Sequence, residues 1–156
     1  AVRRVVNEAT NRFGAIHGVV HGAGTLHDNL ISLKTQSEAE AVFAPKVHGA
    51  LVLDESLRET PLDFFLVFSS TSTVTSPTGQ VDYVAANAFL NAFAESRHRP
   101  DRRYIALNWG IWNEVGMAAK AADRSPAKLA PAPEEQPVEH PLFDYRLGGL
   151  HDAKVT

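Results

Sequence analysis

The side chains best suited to chemistry gather in residues 64–93, FFLVFSSTSTVTSPTGQVDYVAANAFLNAF. Ser69 and Ser70 end an apolar run of Phe64, Phe65, Leu66, Val67 and Phe68. The run is short and lacks polar alternation, so it reads as a strand buried on both faces. In an open α/β sheet ligands bind just beyond the carboxyl ends of the strands, and a hydroxyl at Ser70 would stand there. Tyr83 and Asn87 are four residues apart on a helix expected to begin near Val81, which puts a phenol and an amide on one helical face. Val84, Ala85, Ala88 and Ala92 are expected on the opposite, packing side.

These groups need elements to hold them. Val2, Val5, Val6, Ala9 and Phe13 follow a helical rhythm closed by Gly14, an amphipathic helix. Residues 16–20 read as a short buried strand that runs into His21, Gly22, Ala23 and Gly24, small residues that permit close approach to the backbone. No GxGxxG fingerprint occurs. Ser37 with Glu40 is expected to form a capping box at the start of a helix. Pro45, lacking an amide hydrogen, should bend or break that helix. Residues 71–80, with Pro77 and Gly79, are expected to be loop. Residues 97–101 make a polar turn before another buried strand over 104–110, polar at Asn108. Four prolines within 121–137 mark a linker.

The 156 residues fit one main domain with a sizeable core. Lys plus Arg total 15 against 18 Asp plus Glu, a formal charge of −3, which leaves no electrostatic footprint for nucleic acid or an anionic membrane. Cysteine is absent, which excludes disulfides and thiolate metal sites and fits a reducing, cytoplasmic setting. No apolar run approaches the roughly 20 residues of a membrane span. The histidines form no cluster that suggests a metal site, so no metal is expected. The chain opens within a helical pattern and without Met, as a piece of something longer would.

Ser70, Tyr83 thirteen positions later, the YxxxN of Tyr83 and Asn87, and GQVDYVAANAFLNAFA resemble the ketoreductase domains of modular type I polyketide synthases, within the short-chain dehydrogenase/reductase superfamily. The resemblance implies a Rossmann-like parallel sheet flanked by helices, an α/β fold incomplete here because the N-terminal cofactor-binding strands and their glycine-rich turn are missing. It implies a ketoreductase part over 1–120, a linker over 121–138 and, from HPLFDYRLG, the possible start of a dehydratase domain over 139–156. The dehydratase motif HxxxGxxxxP does not occur, so His140 is given no role.

By itself Lys46 would be one more surface lysine. By resemblance the APKVHGA segment carries the family's lysine, 37 positions before Tyr83, and Asn87 takes the place that lysine occupies in most short-chain reductases. The implied catalytic set is Lys46, Ser70, Tyr83 and Asn87. A phenol's ordinary pKa, about 10, suits neutral pH poorly, and a nearby ammonium favours the phenolate. Tyr83 would then protonate the ketone oxygen, Ser70 would hold that oxygen, and Asn87 would orient the lysine. The implied hydride source is NADPH, contacted by Gly22, Ala23, Gly24, Ser69, Lys46, Tyr83, Asn108, Trp109 and Gly110. The implied substrate is a β-ketoacyl chain on an acyl carrier protein, with further synthase domains as neighbours in the same polypeptide. Asp28, within Leu26-His27-Asp28, matches the last residue of the LDD signature of reductases giving the D-alcohol, although His27 replaces its middle residue. Gln80 and Met117 are the other expected substrate contacts, and residues 111–117 the start of a flap. Trp109 and Trp112 could equally be packing residues. The alternatives are a noncatalytic docking segment of a megasynthase, or another short-chain enzyme such as an epimerase. The piece alone is expected to bind NADPH weakly or not at all.

Overall fold

In the computed structural model, residues 1–111 are described. The expected linker over 121–138, the segment 139–156, Trp112 and Met117 lie outside them. The order is α1 (Val2–Phe13), β1 (Gly18–His21), α2 (Gln36–Phe43), a π-helical turn (Ala44–His48), α3 (Gly49–Ser56), β2 (Phe64–Ser70), α4 (Ser72–Thr75), α5 (Val81–Arg97) and β3 (Arg103–Trp109). The strands form one parallel sheet in the order β1-β2-β3, with Phe64 opposite Gly18 and Arg103, and Val67 opposite His21 and Ala106. Each crossover contains a helix, as parallel pairing requires. This is the expected Rossmann-like arrangement. No helix among the described residues is long and apolar enough to cross a membrane.

The core lies on one side of the sheet. Phe65 and Val67 of β2 are fully buried there with Ala50, Leu57, Leu62, Leu90, Phe93, Ala94 and Tyr104. Phe65 stacks on Tyr104 at 5.3 Å, and Phe93 meets both rings edge-on. Arg102, also buried, donates to the carbonyls of Leu57, Arg58 and Thr60 and so closes the end of α3.

Several expectations need correction. β2 alternates, with Phe65, Val67 and Ser69 buried and Phe64, Leu66, Phe68 and Ser70 half-buried, because among the described residues helices cover the sheet on one side. The residues expected to be all loop after β2 include the single turn of α4, which Ser76 ends in the left-handed region at φ 45°. The capping box is Thr35 with Glu38, not Ser37 with Glu40: the Glu38 amide donates to the Thr35 hydroxyl and the Thr35 amide to the Glu38 carboxylate. On α5 the packing residues are Ala86, Leu90, Phe93 and Ala94, whereas Ala85, Ala88 and Ala92 are exposed and Val84 only half-buried. Larger apolar groups gain more by leaving water than alanine methyls do, and they set the helix's rotation. Pro45 does break the helical pattern, and the chain makes a π turn before α3 resumes.

Candidate active site

The carboxyl ends of β1, β2 and β3 open into a cleft of about 660 Å³. Gly22 and Gly24 line it from the β1 end, Ser69, Ser70 and Ser72 from the β2 end, Trp109 and Gly110 from the β3 end, and Lys46, Gln80 and Tyr83 from the helices. Lys46, Ser70 and Tyr83 thus share one cavity, each delivered by a different element.

Lys46 reaches the cleft because the π turn shifts it off the regular helical track. It is only 3 % exposed; its Nζ donates to the Phe68 carbonyl at 2.9 Å and lies 5.3 Å from the centre of the Tyr83 ring. Burial disfavours the ammonium and pushes its pKa down to about 8. The surface reading of this residue therefore fails. His21, buried beneath it, donates from Nε2 to the Lys46 carbonyl at 3.2 Å, and burial lowers its imidazole pKa below the ordinary value. The neutral ring suits that role.

Tyr83 is half-buried in the first turn of α5. Asn87 stands behind it: fully buried, its amide donates back to the Tyr83 carbonyl at 2.8 Å, and its Oδ1 has no hydrogen-bond partner among the described residues. The expectation that phenol and amide both project from the open face is corrected for the amide. The Ser69 hydroxyl donates to the Asn87 carbonyl at 3.1 Å and ties β2 to α5. Ser70 presents its Oγ at the strand end, where it accepts from the Ser72 amide at 3.1 Å and keeps its own proton for a further partner.

The glycines have a local reason. A Cβ on Gly24 would come within 3.0 Å of Lys46 Cε, and one on Gly22 within 3.3 Å of the Phe68 ring. Their absence lets the lysine and the phenylalanine approach and leaves the cleft floor open. Ala23 and Asn108 are exposed and do not line the cleft. Asp28 does not line it either, but its Oδ2 accepts from Gln80 Nε2 at 3.0 Å, so the two expected substrate contacts touch each other at the rim. Thr71, Ser72 and Thr75 are lining residues that composition and spacing had not singled out. The Phe68 carbonyl, a backbone group, had no sequence signal at all.

A buried ammonium, a phenol and a free hydroxyl proton around one cavity can bind and protonate a polarised oxygen. The floor, clear of side chains at Gly22 and Gly24, has room for a flat ring system beside them, so the residues present fit a nicotinamide group.

A family model described as KR domain matches residues 1–114. Polyketide synthase PksL of Bacillus subtilis is 39% identical over 126 residues, 77% of this chain and 3% of that protein. A 6-methylsalicylic acid synthase of Aspergillus terreus is 43% identical over 115 residues, 74% of this chain and 6% of that protein. The chain thus spans a small fraction of these curated relatives. Among solved structures, a ketoreductase domain from the bacillaene assembly line superposes with a TM-score of 0.70 at 41% identity, over 79% of this chain and 31% of that one. A short-chain dehydrogenase/reductase from Brucella melitensis, at 16% identity and a TM-score of 0.65 over 70% of this chain and 46% of that one, shares the fold.

Proposed function

The chain belongs to the KR-domain family, and from that premise we propose that its parent protein reduces a β-ketoacyl thioester, held on an acyl carrier protein, to the β-hydroxyacyl thioester during polyketide synthesis. Neighbouring synthase domains in the same polypeptide would supply and consume these thioesters. NADPH, bound over Gly22 and Gly24 and against Ser69, Trp109 and Gly110, would supply the hydride. The observation that carries this reading is the convergence of Lys46, Ser70 and Tyr83 on one cleft at the carboxyl ends of a parallel sheet.

The geometry supports the following roles. Ser70 Oγ–H donates to the ketone oxygen and holds it beside Tyr83. The Tyr83 hydroxyl gives its proton to that oxygen as negative charge develops there. Lys46, 5.3 Å from the ring centre, favours the phenolate left behind while its amine stays anchored on the Phe68 carbonyl. Asn87 holds the first turns of α5, and its unpartnered Oδ1 has an acceptor to spare for the lysine, directly or through water. The Asp28–Gln80 pair at the rim would steer the chain to the face that yields the D-alcohol.

Replacing the phenol tests this. The parent protein carrying Tyr83→Phe should lose turnover of a β-ketoacyl thioester by about 10²–10⁴-fold, the scale of positioned acid catalysis, while its folding is retained. Turnover within a few-fold of the unchanged protein would sink the reading.

A further inference from the structure

Lys34 and Asp82 stand outside the machinery described so far. Their side chains are 6% and 3% exposed, and Lys34 Nζ donates to Asp82 Oδ2 at 2.8 Å. Each ion makes one further contact. The lysine also donates to the carbonyl of His27, on the peptide that leads into Asp28. The aspartate's other oxygen, Oδ1, accepts from the Tyr83 backbone amide at 2.9 Å. One buried pair therefore spans from the strip carrying Asp28 to the helical turn carrying Tyr83. A second tie runs alongside it, from the Asn29 amide to the Gly79 carbonyl at 2.9 Å, and the Asp28–Gln80 bond lies between.

Stability alone does not account for this arrangement. Desolvating two charges costs about as much as their attraction returns, so an apolar pair of similar volume would hold the segments together equally well. Directionality is what ions with fixed partners add. A lysine sharing its protons between a carboxylate and a carbonyl, and a carboxylate sharing its oxygens between a lysine and an amide, fix two peptide planes relative to each other. We propose that Lys34 and Asp82 are positioning residues that lock the strip bearing Asp28 onto the first turn of α5, and so set the angle at which a ketone meets Tyr83. This rests on the reductase reading above and deepens it. Neither residue touches the reacting atoms.

The test uses the full-length parent protein with Lys34→Met, Asp82→Asn and both together. Each single change should lower kcat about tenfold or more with little change in KM, the pattern of a misaligned reacting group. Each should also raise the minor alcohol enantiomer several-fold. The double variant has no unpaired charge and keeps an acceptor for the Tyr83 amide, so it should fold and recover part of kcat while its enantiomer ratio stays relaxed, because His27 remains untethered. A kcat and an enantiomer ratio unchanged per folded molecule would overturn the proposal. Amide exchange on the same variants separates its failure from failure of the reductase reading. Lys34→Met should speed exchange in 26–35 and 80–84 together while the β2 core stays protected. If the unchanged parent reduces no ketoacyl thioester, the reductase reading falls and exchange alone decides the coupling. Exchange unaltered in both segments, or raised only in step with the core, refutes it.

Discussion

Replacing Lys46 with methionine should separate its catalytic part from its structural one. The side chain is buried, and burial has moved its pKa from 10.5 to about 8. At pH 7 the folded protein therefore holds an ammonium that the unfolded chain would solvate better, a penalty of at most about 3.5 kcal/mol, at about 1.4 kcal/mol per pKa unit. Methionine removes that penalty and keeps most of the apolar stem. It also strips the Phe68 carbonyl of its donor at 2.9 Å, which costs about 1–3 kcal/mol if water cannot replace it. The two effects oppose, so stability at pH 7 should stay within about 2 kcal/mol of the starting protein. Its pH dependence should not stay. Between pH 8 and 10.5 the unfolded chain binds a proton that folded Lys46 has released, so this group's contribution rises with pH across that window, and the variant lacks the rise. Thermal unfolding of both proteins at pH 7 and 9.5 reads the difference, and turnover should fall about 10²–10⁴-fold. A variant that keeps the same alkaline gain in stability, or turns over at a comparable rate, would refute the account of Lys46 as a buried ammonium serving Tyr83.

Two other outcomes are expected. For the parent protein, kcat/KM for ketone reduction should fall as pH rises past about 8, because Lys46 then loses the ammonium charge beside the Tyr83 ring; a rate flat from pH 7 to 10 contradicts this. Arg102→Met should cost at least about 2 kcal/mol in denaturant unfolding, since it leaves the carbonyls at the end of α3 without their buried donor, and it should spare kcat per folded molecule because Arg102 lies away from the cleft lining.

What could be read in the sequence depended on how local its cause was. Pro45 interrupts a helix through its own ring, and the break appears where it stands. Four-residue spacing sets Tyr83 near Asn87, but not how far the helix turns about its axis. That rotation follows from burying Leu90 and Phe93 against the sheet, and it carries Asn87 inward to bond the Tyr83 carbonyl. The capping box failed for a related reason. Thr35-x-x-Glu38 and Ser37-x-x-Glu40 offer the same local chemistry two residues apart. The observed register leaves Lys34 just ahead of the cap, free to enter the buried bond with Asp82, 48 positions away. A choice between equal local options was settled by a long-range partner, and the same holds for the site as a whole. Spacing could place Ser70 and Tyr83 near each other on a strand end and a helix start. The distance between the Asp28 strip and Tyr83 is held by contacts that no periodicity displays, so that distance, and with it the face that a ketone would turn to a hydride donor, is where substitutions far from the reacting atoms should act.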